Sequence, residues 1–481
     1  MVSFDYDIGI LGGGAAGLTV ASGAASLGAK TLLVEKEPLL GGDCLHFGCV
    51  PSKTLIKTAR VYALMKNAPA FGLPKVDVPP VDFKMVAGRI AQVIAAIGEH
   101  DSDERFCGLG ARVVHGTPRF SDEHCVEIDG LRVSAKNWVI ATGSSPGVPP
   151  IPGLAQSPYL TNKTIFSLGH LPQSLVVLGG GPIGVEMAQA FCRLGSRVDV
   201  VEMQEQILGP EDADMAGVVM EALRQEGVAF HLGFKCSGVH DLGDFQEVTI
   251  EKEGNPKTVL KAEAVLVALG RVPNTAGLGL ENIGVKTSRQ GVEVDSRLRT
   301  SHKHIFAAGD VNGGYQFTHV AGYEGGVVLA NAILHLPRKV DYKNICWCTY
   351  TDPELASVGM NEKMAAKAKI ACKVISEDFR TNDRALAEGE KTGKIKLVLS
   401  QDEKPLGIQI CGLHAGELIC EWVAVQNGKV GLSRLAGAIH PYPVLAEISK
   451  RAAQDVFAPK LYSETVKKSL KLFFRLKGRA C

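Results

Sequence analysis

The chain has 481 residues, too many for one ordinary hydrophobic core, so two to four domains are expected. With 46% hydrophobic residues, 21% charged residues and a net charge of +1, the composition is that of a globular protein and offers no electrostatic case for nucleic acid as a partner. No apolar stretch is long and uncharged enough to span a bilayer, and the amino terminus enters a strand at once without a basic leader, so no signal peptide and a cytoplasmic setting are expected.

Tyr6 to Leu11 reads as a buried strand, followed by Gly12-Gly13-Gly14-Ala15-Ala16-Gly17, a helix from about Leu18 to Leu27, and a second strand from Thr31 that ends at Glu35. In such a loop Gly12 permits a tight turn, Gly14 lets the backbone approach a pyrophosphate, and Gly17 lets helix and strand pack closely. The helix start offers N–H groups to phosphates, and Glu35 is placed to bind a ribose hydroxyl. The run GGDCLHFGCVPSK follows, with four residues between Cys44 and Cys49. Two thiols so soon after a dinucleotide-binding turn form a redox device: the loop holds a cofactor that accepts electrons and the pair can pass them on. Cys49 is expected to begin a helix, with Pro51 in its first turn, and a helix start lowers a thiol pKa. Lys53, four residues on, falls on the same helix face, although a solvated lysine is the plain alternative.

The pattern then repeats. Ser174 to Leu178 is a strand, Gly179-Gly180-Gly181-Pro182-Ile183-Gly184 the loop, a helix runs to Leu194, and the strand from Arg197 ends at Glu202. Each acid lies 18 residues after the last glycine of its loop. One such motif is weak evidence, but two in the same context are strong. Glu202 would hydrogen-bond a free 2′-hydroxyl and repel a 2′-phosphate, and the turn Met203-Gln204-Glu205-Gln206 adds another acid and no Arg, so NADH is expected over NADPH.

The other cysteines, Cys107, Cys125, Cys192, Cys236, Cys372, Cys411 and Cys420, are expected to be small buried hydrophobes. Cys346 and Cys348 share one face of a strand, where packing is the plainer reading than a metal. No CxxC occurs, so no metal site is expected. The last 22 residues, 460–481, carry seven Lys or Arg against one acid, Glu464; this +6 leaves the rest of the chain at −5. Val466, Leu470, Phe473 and Phe474 fall on one helical face. A basic amphipathic helix of this kind suits an anionic membrane surface or an acidic partner; packing on a dimer surface with solvated lysines is the alternative.

GGGAAG, GGDCLHFGCVPSK, ATGSSP, GGGPIGVE, ALGRVPNT, FAAGDV and TYTDPELASVG occur in this order over roughly residues 5 to 460. In this the chain resembles the pyridine nucleotide-disulfide oxidoreductases, the group that contains dihydrolipoamide dehydrogenase, glutathione reductase and mercuric reductase. The resemblance implies an α/β fold with two Rossmann-like dinucleotide-binding domains plus a C-terminal α/β dimerisation domain. It divides the chain into an FAD domain (1–150 and 276–340), an NAD(H) domain (151–275), an interface domain (341–460) and a basic tail (461–481). It assigns Gly12, Gly14, Gly17 and Glu35 to FAD, with Gly42 and Asp43 near the FAD phosphates, Asp43 standing where a Thr is usual. Gly116, Thr142, Gly143 and Asp310 match further FAD positions, Asp310 at a strand end, although Thr-Gly also makes plain turns. Gly179, Gly181, Gly184 and Glu202 match the nicotinamide dinucleotide site, and Gly270 its nicotinamide half. Cys49 becomes the thiol that faces the flavin and Cys44 the one that exchanges with substrate, while Lys53 lies beside the flavin and pairs with Glu186.

Disulfide-reducing members carry a His before a Pro and a Glu five residues after that His, supplied by the other subunit of a homodimer with shared active sites. Here the run is His440-Pro441-Tyr442-Pro443-Val444-Leu445-Ala446-Glu447. Registering on Pro443 and Glu447 puts Tyr442 at the base position; registering on His440 and Pro441 misplaces the acid. Imidazole exchanges protons near neutral pH and phenol does so poorly. Mercuric reductases resemble this chain in having Tyr there, which points to a soft metal ion or a small-molecule thiol or disulfide as acceptor. They also carry adjacent cysteines near the C-terminus, whereas this chain has only Cys481. The alternatives are a dihydrolipoamide dehydrogenase acting on lipoyl groups and, in another class, a flavin-containing redox sensor or membrane-associated interaction protein with little turnover.

Overall fold

The structure is a computed structural model that describes residues 3–478, so Cys481 lies outside the described residues. The chain forms two compact units, Met1–Glu205 with Gly227–Asp341, and Gln206–Glu226 with Tyr342–Cys481.

In the first unit Tyr6–Leu11 lies between two parallel partners, Thr31–Glu35 and the second half of Leu131–Ile140. Ala111–His115 adds to the outer edge of Thr31–Glu35, and Ile305–Ala307 pairs with the end of Leu131–Ile140. The first half of that long strand turns instead into an antiparallel arrangement with Cys125–Ile128 and Pro118–Phe120. Thr31–Glu35 is buried along its whole length, as a parallel strand covered on both faces must be. Helices Ala15–Ser26 and Thr318–Ala332 pack together over a core that includes Ile8, Ile10, Val20, Val139, Phe306 and Val327. The repeat read in the sequence extends well beyond its motif. Ser174–Leu178, Arg197–Glu202, Ala229–Leu232 and Ala264–Val267 make a second parallel sheet. Lys235–Asp241, Gln246–Glu251 and Thr258–Ala262 make a second three-stranded antiparallel sheet.

Two local expectations shift. The first helix begins at Ala15, inside the glycine motif, because Gly14 is already its extended N-cap (φ −88°, ψ −172°). Asp310 does not end a strand: the strand stops at Ala307, and Asp310 opens a short 3-10 turn after Gly309.

The second unit is a five-stranded antiparallel sheet in the order Cys346–Thr349, Glu354–Gly359, Pro405–Gly412, Lys394–Ser400, Cys372–Asp378. One face is apolar and meets helices Ala415–Asn427 and Glu447–Leu461 through Ile419, Trp422, Ile448 and Ala452. The register lines up a polar row on alternate positions, Trp347 beside Ser357, Ser357 beside Gln409, and Gln409 beside Lys396. That row explains why Gln206–Glu226, expected inside 151–275, groups with this unit. Trp347 Nε1, Ser357 Oγ (2.8 Å) and Gln409 Nε2 (2.6 Å) donate to the buried Glu211 carboxylate, whose pKa burial raises. Lys396 Nζ meets Asp212 at 2.9 Å, Asp214 at 2.8 Å, and Glu362. Among the described residues no helix is long and apolar enough to cross a membrane.

Candidate active site

The two glycine loops have the same geometry, and it separates their glycines into two kinds. Gly12 and Gly179 have φ of +112° and +111°, and a Cβ on Gly17 or Gly184 would lie 1.9 Å from the carbonyl oxygen of Gly12 or Gly179. Those four are glycine because the protein's own backbone demands it. Gly14 and Gly181 are different. Their φ angles are ordinary, −88° and −74°. A Cβ on Gly14 would meet nothing nearer than Gly42 Cα at 3.9 Å, and one on Gly181 nothing within 4 Å. Neither helix start receives a side-chain cap, so no side chain of the cap residue occupies its first N–H groups. The acids are held alike as well. Glu35 accepts from the N–H of Gly13 (2.6 Å) and Glu37 (2.9 Å), and Glu202 from those of Gly180 (2.7 Å) and Gln204 (2.8 Å). Each carboxylate therefore ties its strand end to its loop, and these bonds leave lone pairs on both oxygens.

Gly42 lies against the first loop, where a Cβ would come 2.8 Å from Gly14 Cα. The short helix Gly42–His46 carries the half-buried Cys44, and Cys49 is the exposed first residue of the helix Cys49–Lys66. A hydrogen bond from the Cys44 thiol pulls the Cys49 pKa down to about 6, with help from Thr318 and the Lys53 charge. Thr318 Oγ1 lies 3.4 Å from Cys49 Sγ. The same hydrogen bond, with burial, pushes Cys44 well above the ordinary thiol range. The shifts run in opposite directions, so Cys49 is the thiol more ready to ionise and Cys44 the one that keeps its proton. Lys53 Nζ donates to Glu186 Oε2 at 2.9 Å, and Glu186 is buried in Pro182–Leu194, the helix of the second loop. The structure therefore brings Cys44, Cys49, Lys53 and Glu186 into one arrangement.

Asp43 joins a network that sequence reading missed. Its carboxylate meets Arg271 Nη2 at 3.1 Å and accepts from Asn162 Nδ2 at 3.1 Å, and Asn162 also donates to Phe47 O (3.0 Å). Arg271 in turn donates to Ser144 Oγ (2.7 Å) and Ser144 O (2.9 Å), and lies 3.7 Å from Asp310 Oδ2. Ser144 Oγ donates to Asp310 at 2.5 Å. One guanidinium thus serves two carboxylates. Burial raises the Asp310 pKa, Ser144 and Arg271 oppose it, and Asp43 adds to it. The available signals were positional: Arg271 follows Gly270, and Ser144 follows Thr142-Gly143. Thr142 Oγ1 donates to Asn274 O (2.7 Å), and Gly143 O accepts from Asn274 N–H (2.9 Å). Gly116 N–H donates to Glu35 O at 2.9 Å, and Gly270 O accepts from Gly147 N–H at 2.8 Å. Thr318 carried no signal in its own sequence.

Tyr442 and Glu447 lie in the second unit. Tyr442 is 70% exposed and donates to Asp383 Oδ2 at 2.8 Å, and that bond raises its pKa. Glu447 begins its helix with one carboxylate oxygen buried and without a hydrogen-bond partner among the described residues. His440 Nε2 is engaged by Glu421 Oε1 at 2.9 Å. The expectation of buried spare cysteines needs correction. Cys411 is buried, but Cys107 and Cys420 are exposed and Cys125, Cys192, Cys236 and Cys372 are half-buried, because they sit near element ends and outer faces.

The family model described as pyridine nucleotide-disulphide oxidoreductase matches residues 6–325, and that of the family's dimerisation domain matches 345–453. A mercuric reductase from Staphylococcus aureus is 34% identical over 452 residues, covering 93% of this chain and 82% of that protein. A dihydrolipoyl dehydrogenase from Geobacillus stearothermophilus is 36% identical over 453 residues, covering 92% and 95%. Among solved structures, the HOCl-induced flavoprotein disulfide reductase RclA from Escherichia coli, as its Cu(II) complex, superposes with a TM-score of 0.83 at 28% identity, over 92% of this chain and 98% of that one. A dimerisation domain of this kind suggests a homodimer. The chain belongs to the pyridine nucleotide-disulfide oxidoreductases, FAD-dependent enzymes for which a pyridine nucleotide is also expected.

Proposed function

We propose that this chain takes electrons from NADH and delivers them, by way of FAD and a redox-active Cys44–Cys49 disulfide, to a soft metal ion or a small-molecule thiol or disulfide. The residues fit FAD. The first loop keeps Gly14 and an uncapped helix start open on one side, with Glu35 held at its edge. The second loop repeats the fit for the nicotinamide dinucleotide, where the Glu202 carboxylate favours a free 2′-hydroxyl over a 2′-phosphate. Gly42, Gly116, Thr142, Gly143 and Asp310 complete the FAD assignment, with Asp43 beside them, and Gly270 that of the nicotinamide. FAD, when bound, supplies the step between a two-electron hydride donor and a disulfide.

The chain's own residues do the rest. Reduction of the disulfide to one thiol and one thiolate takes two electrons and one proton, and the hydride equivalent brings all of them, so no further proton is drawn from solvent. In the product Cys44 keeps a proton and Cys49 is the thiolate, the state the hydrogen bond between them favours. Lys53, fixed by Glu186, holds positive charge near that thiolate. Cys44 is the thiol that meets the acceptor. Tyr442 and Glu447 complete the site from the partner subunit of a homodimer.

The observation that carries the choice of acceptor is Tyr442. Its hydroxyl is committed to Asp383 and its pKa is raised, so it does not take up and return protons near pH 7. A soft metal ion, which displaces the thiol proton as it binds sulfur, suits this site better than an acceptor that needs a proton shuttle. A second reading, dihydrolipoamide dehydrogenase, draws on His440, an imidazole two residues away that Glu421 orients, and on the relatives of that name. NADH-driven turnover of Hg(II), Cu(II), lipoamide, glutathione disulfide and quinones, by wild type and Tyr442→His, tests the reading. Metal turnover by wild type and a gain of lipoamide turnover in the variant are expected. Wild-type lipoamide turnover equal to that of the variant would refute it.

A further inference from the structure

The helix Glu464–Phe474 starts on a Ser463 cap, whose Oγ accepts from Val466 N–H at 3.3 Å, and buries none of its residues. At about 100° per residue, Phe473, Val466, Leu470 and Phe474 occupy one arc about 100° wide. Leu470 is 39% exposed, Phe473 77% and Phe474 70%. Lys467 and Lys471 flank this arc on one side, about 70° and 110° from its centre, whereas Lys468 and the exposed Leu472 lie on the far side, and Glu464 pairs with Lys467 at 2.8 Å. Two phenylalanines and a leucine on one uncovered face are not a solvent-facing design, because such side chains drive burial.

Three observations bear on what covers the face. The match to the family's dimerisation domain ends at residue 453, ten residues before the cap, so this helix is not part of the surface that the family model describes. In an antiparallel two-fold contact through this face, the Lys467 and Lys471 flanks of the two copies would lie side by side. The charge is concentrated as well: residues 460–481 carry +6 on a chain whose remainder is −5. An apolar arc of about 100° flanked by lysines matches an anionic bilayer surface. At about 16 Å long, an 11-residue helix lies on such a surface and does not cross it.

We propose that the helix Glu464–Phe474 docks this protein on anionic lipid bilayers, with Val466, Leu470, Phe473 and Phe474 in the interface, Lys467 and Lys471 reaching the lipid phosphates, and Lys468 adding positive charge close to the surface. The docking stands apart from the choice of electron acceptor, which a separate assay reads. The experiment sediments the full-length, FAD-loaded protein with vesicles of phosphatidylcholine alone or with one third phosphatidylserine. Binding should need the anionic lipid and fall as salt rises. Each lysine should contribute about fivefold, so that Lys467→Gln/Lys468→Gln/Lys471→Gln binds about 100-fold more weakly. Phe473→Ser/Phe474→Ser should lose binding while NADH oxidation in solution is unchanged. Absence of binding at low salt, or binding that survives the phenylalanine pair or deletion of residues 462–481, overturns the proposal. So does a deletion that turns a dimer into monomers, since a second copy would then be the cover.

Discussion

The hydrogen bond between the two thiols can be tested with a pair of substitutions that differ by one donor. Cys44→Ala removes the thiol that donates to Cys49, whereas Cys44→Ser keeps a hydroxyl donor at the same position. A hydrogen bond to a charged group is worth about 1.5–3 kcal/mol, or about one to two pK units. From a starting value of about 6, Cys49 should therefore titrate at about 7 to 8 in Cys44→Ala and stay near 6 in Cys44→Ser. At pH 7 its thiolate fraction falls from about nine-tenths to between about a half and a tenth, and its alkylation rate with it. In reduced wild type the rate should be flat above about pH 7 and drop as Cys49 gains its proton below about pH 6. Cys44, shifted the opposite way, stays protonated throughout. The assay is iodoacetamide labelling of reduced holoenzyme across pH, read by mass spectrometry on the peptide that contains Cys49, since Cys107 and Cys420 are exposed and also react. If the alanine and serine variants both titrate near 6, the bond from Cys44 does not set the thiolate, and Thr318 with Lys53 must do so.

Gly14→Ala should fold normally yet hold FAD at least about tenfold more weakly, and Gly181→Ala should raise the KM for NADH while FAD is retained; Gly17→Ala, with its Cβ 1.9 Å from Gly12 O, should cost the fold itself. Thermal unfolding of the apoprotein beside FAD titration separates these outcomes, and wild-type FAD affinity in Gly14→Ala would contradict the open-cradle argument. Glu202→Gln should narrow the preference for NADH over NADPH by roughly tenfold, the size of one like-charge repulsion near a surface; an unchanged ratio of kcat/KM for the two nucleotides would show that the carboxylate does not discriminate. Asp43→Asn keeps a polar partner for Asn162 and breaks the ion pair to Arg271, so denaturant unfolding should show a loss of about 1–3 kcal/mol. No loss would mean that Arg271 is held by Ser144 and Asp310 alone.

Whatever depends on contiguous residues could be read from the sequence. Strands Tyr6–Leu11, Ser174–Leu178 and Arg197–Glu202 and the helix end at Leu194 lie where the pattern put them, because buried parallel strands are unbroken apolar runs and glycine loops mark their ends. Cys49 begins its helix as expected, for the equally local reason that Pro51 suits a first turn. The partners of those residues depended on folding. Thr318 reaches Cys49 across 269 positions, Arg271 reaches Ser144 across 127, and Gln409 reaches Glu211 across 198, so no local pattern could pair them. The start of the first helix at Ala15 was decided by Gly14 serving as its extended cap. The placement of Gln206–Glu226 with the second unit was decided by a polar row that exists only once four strands have taken their register, since buried carboxylates go where donors converge.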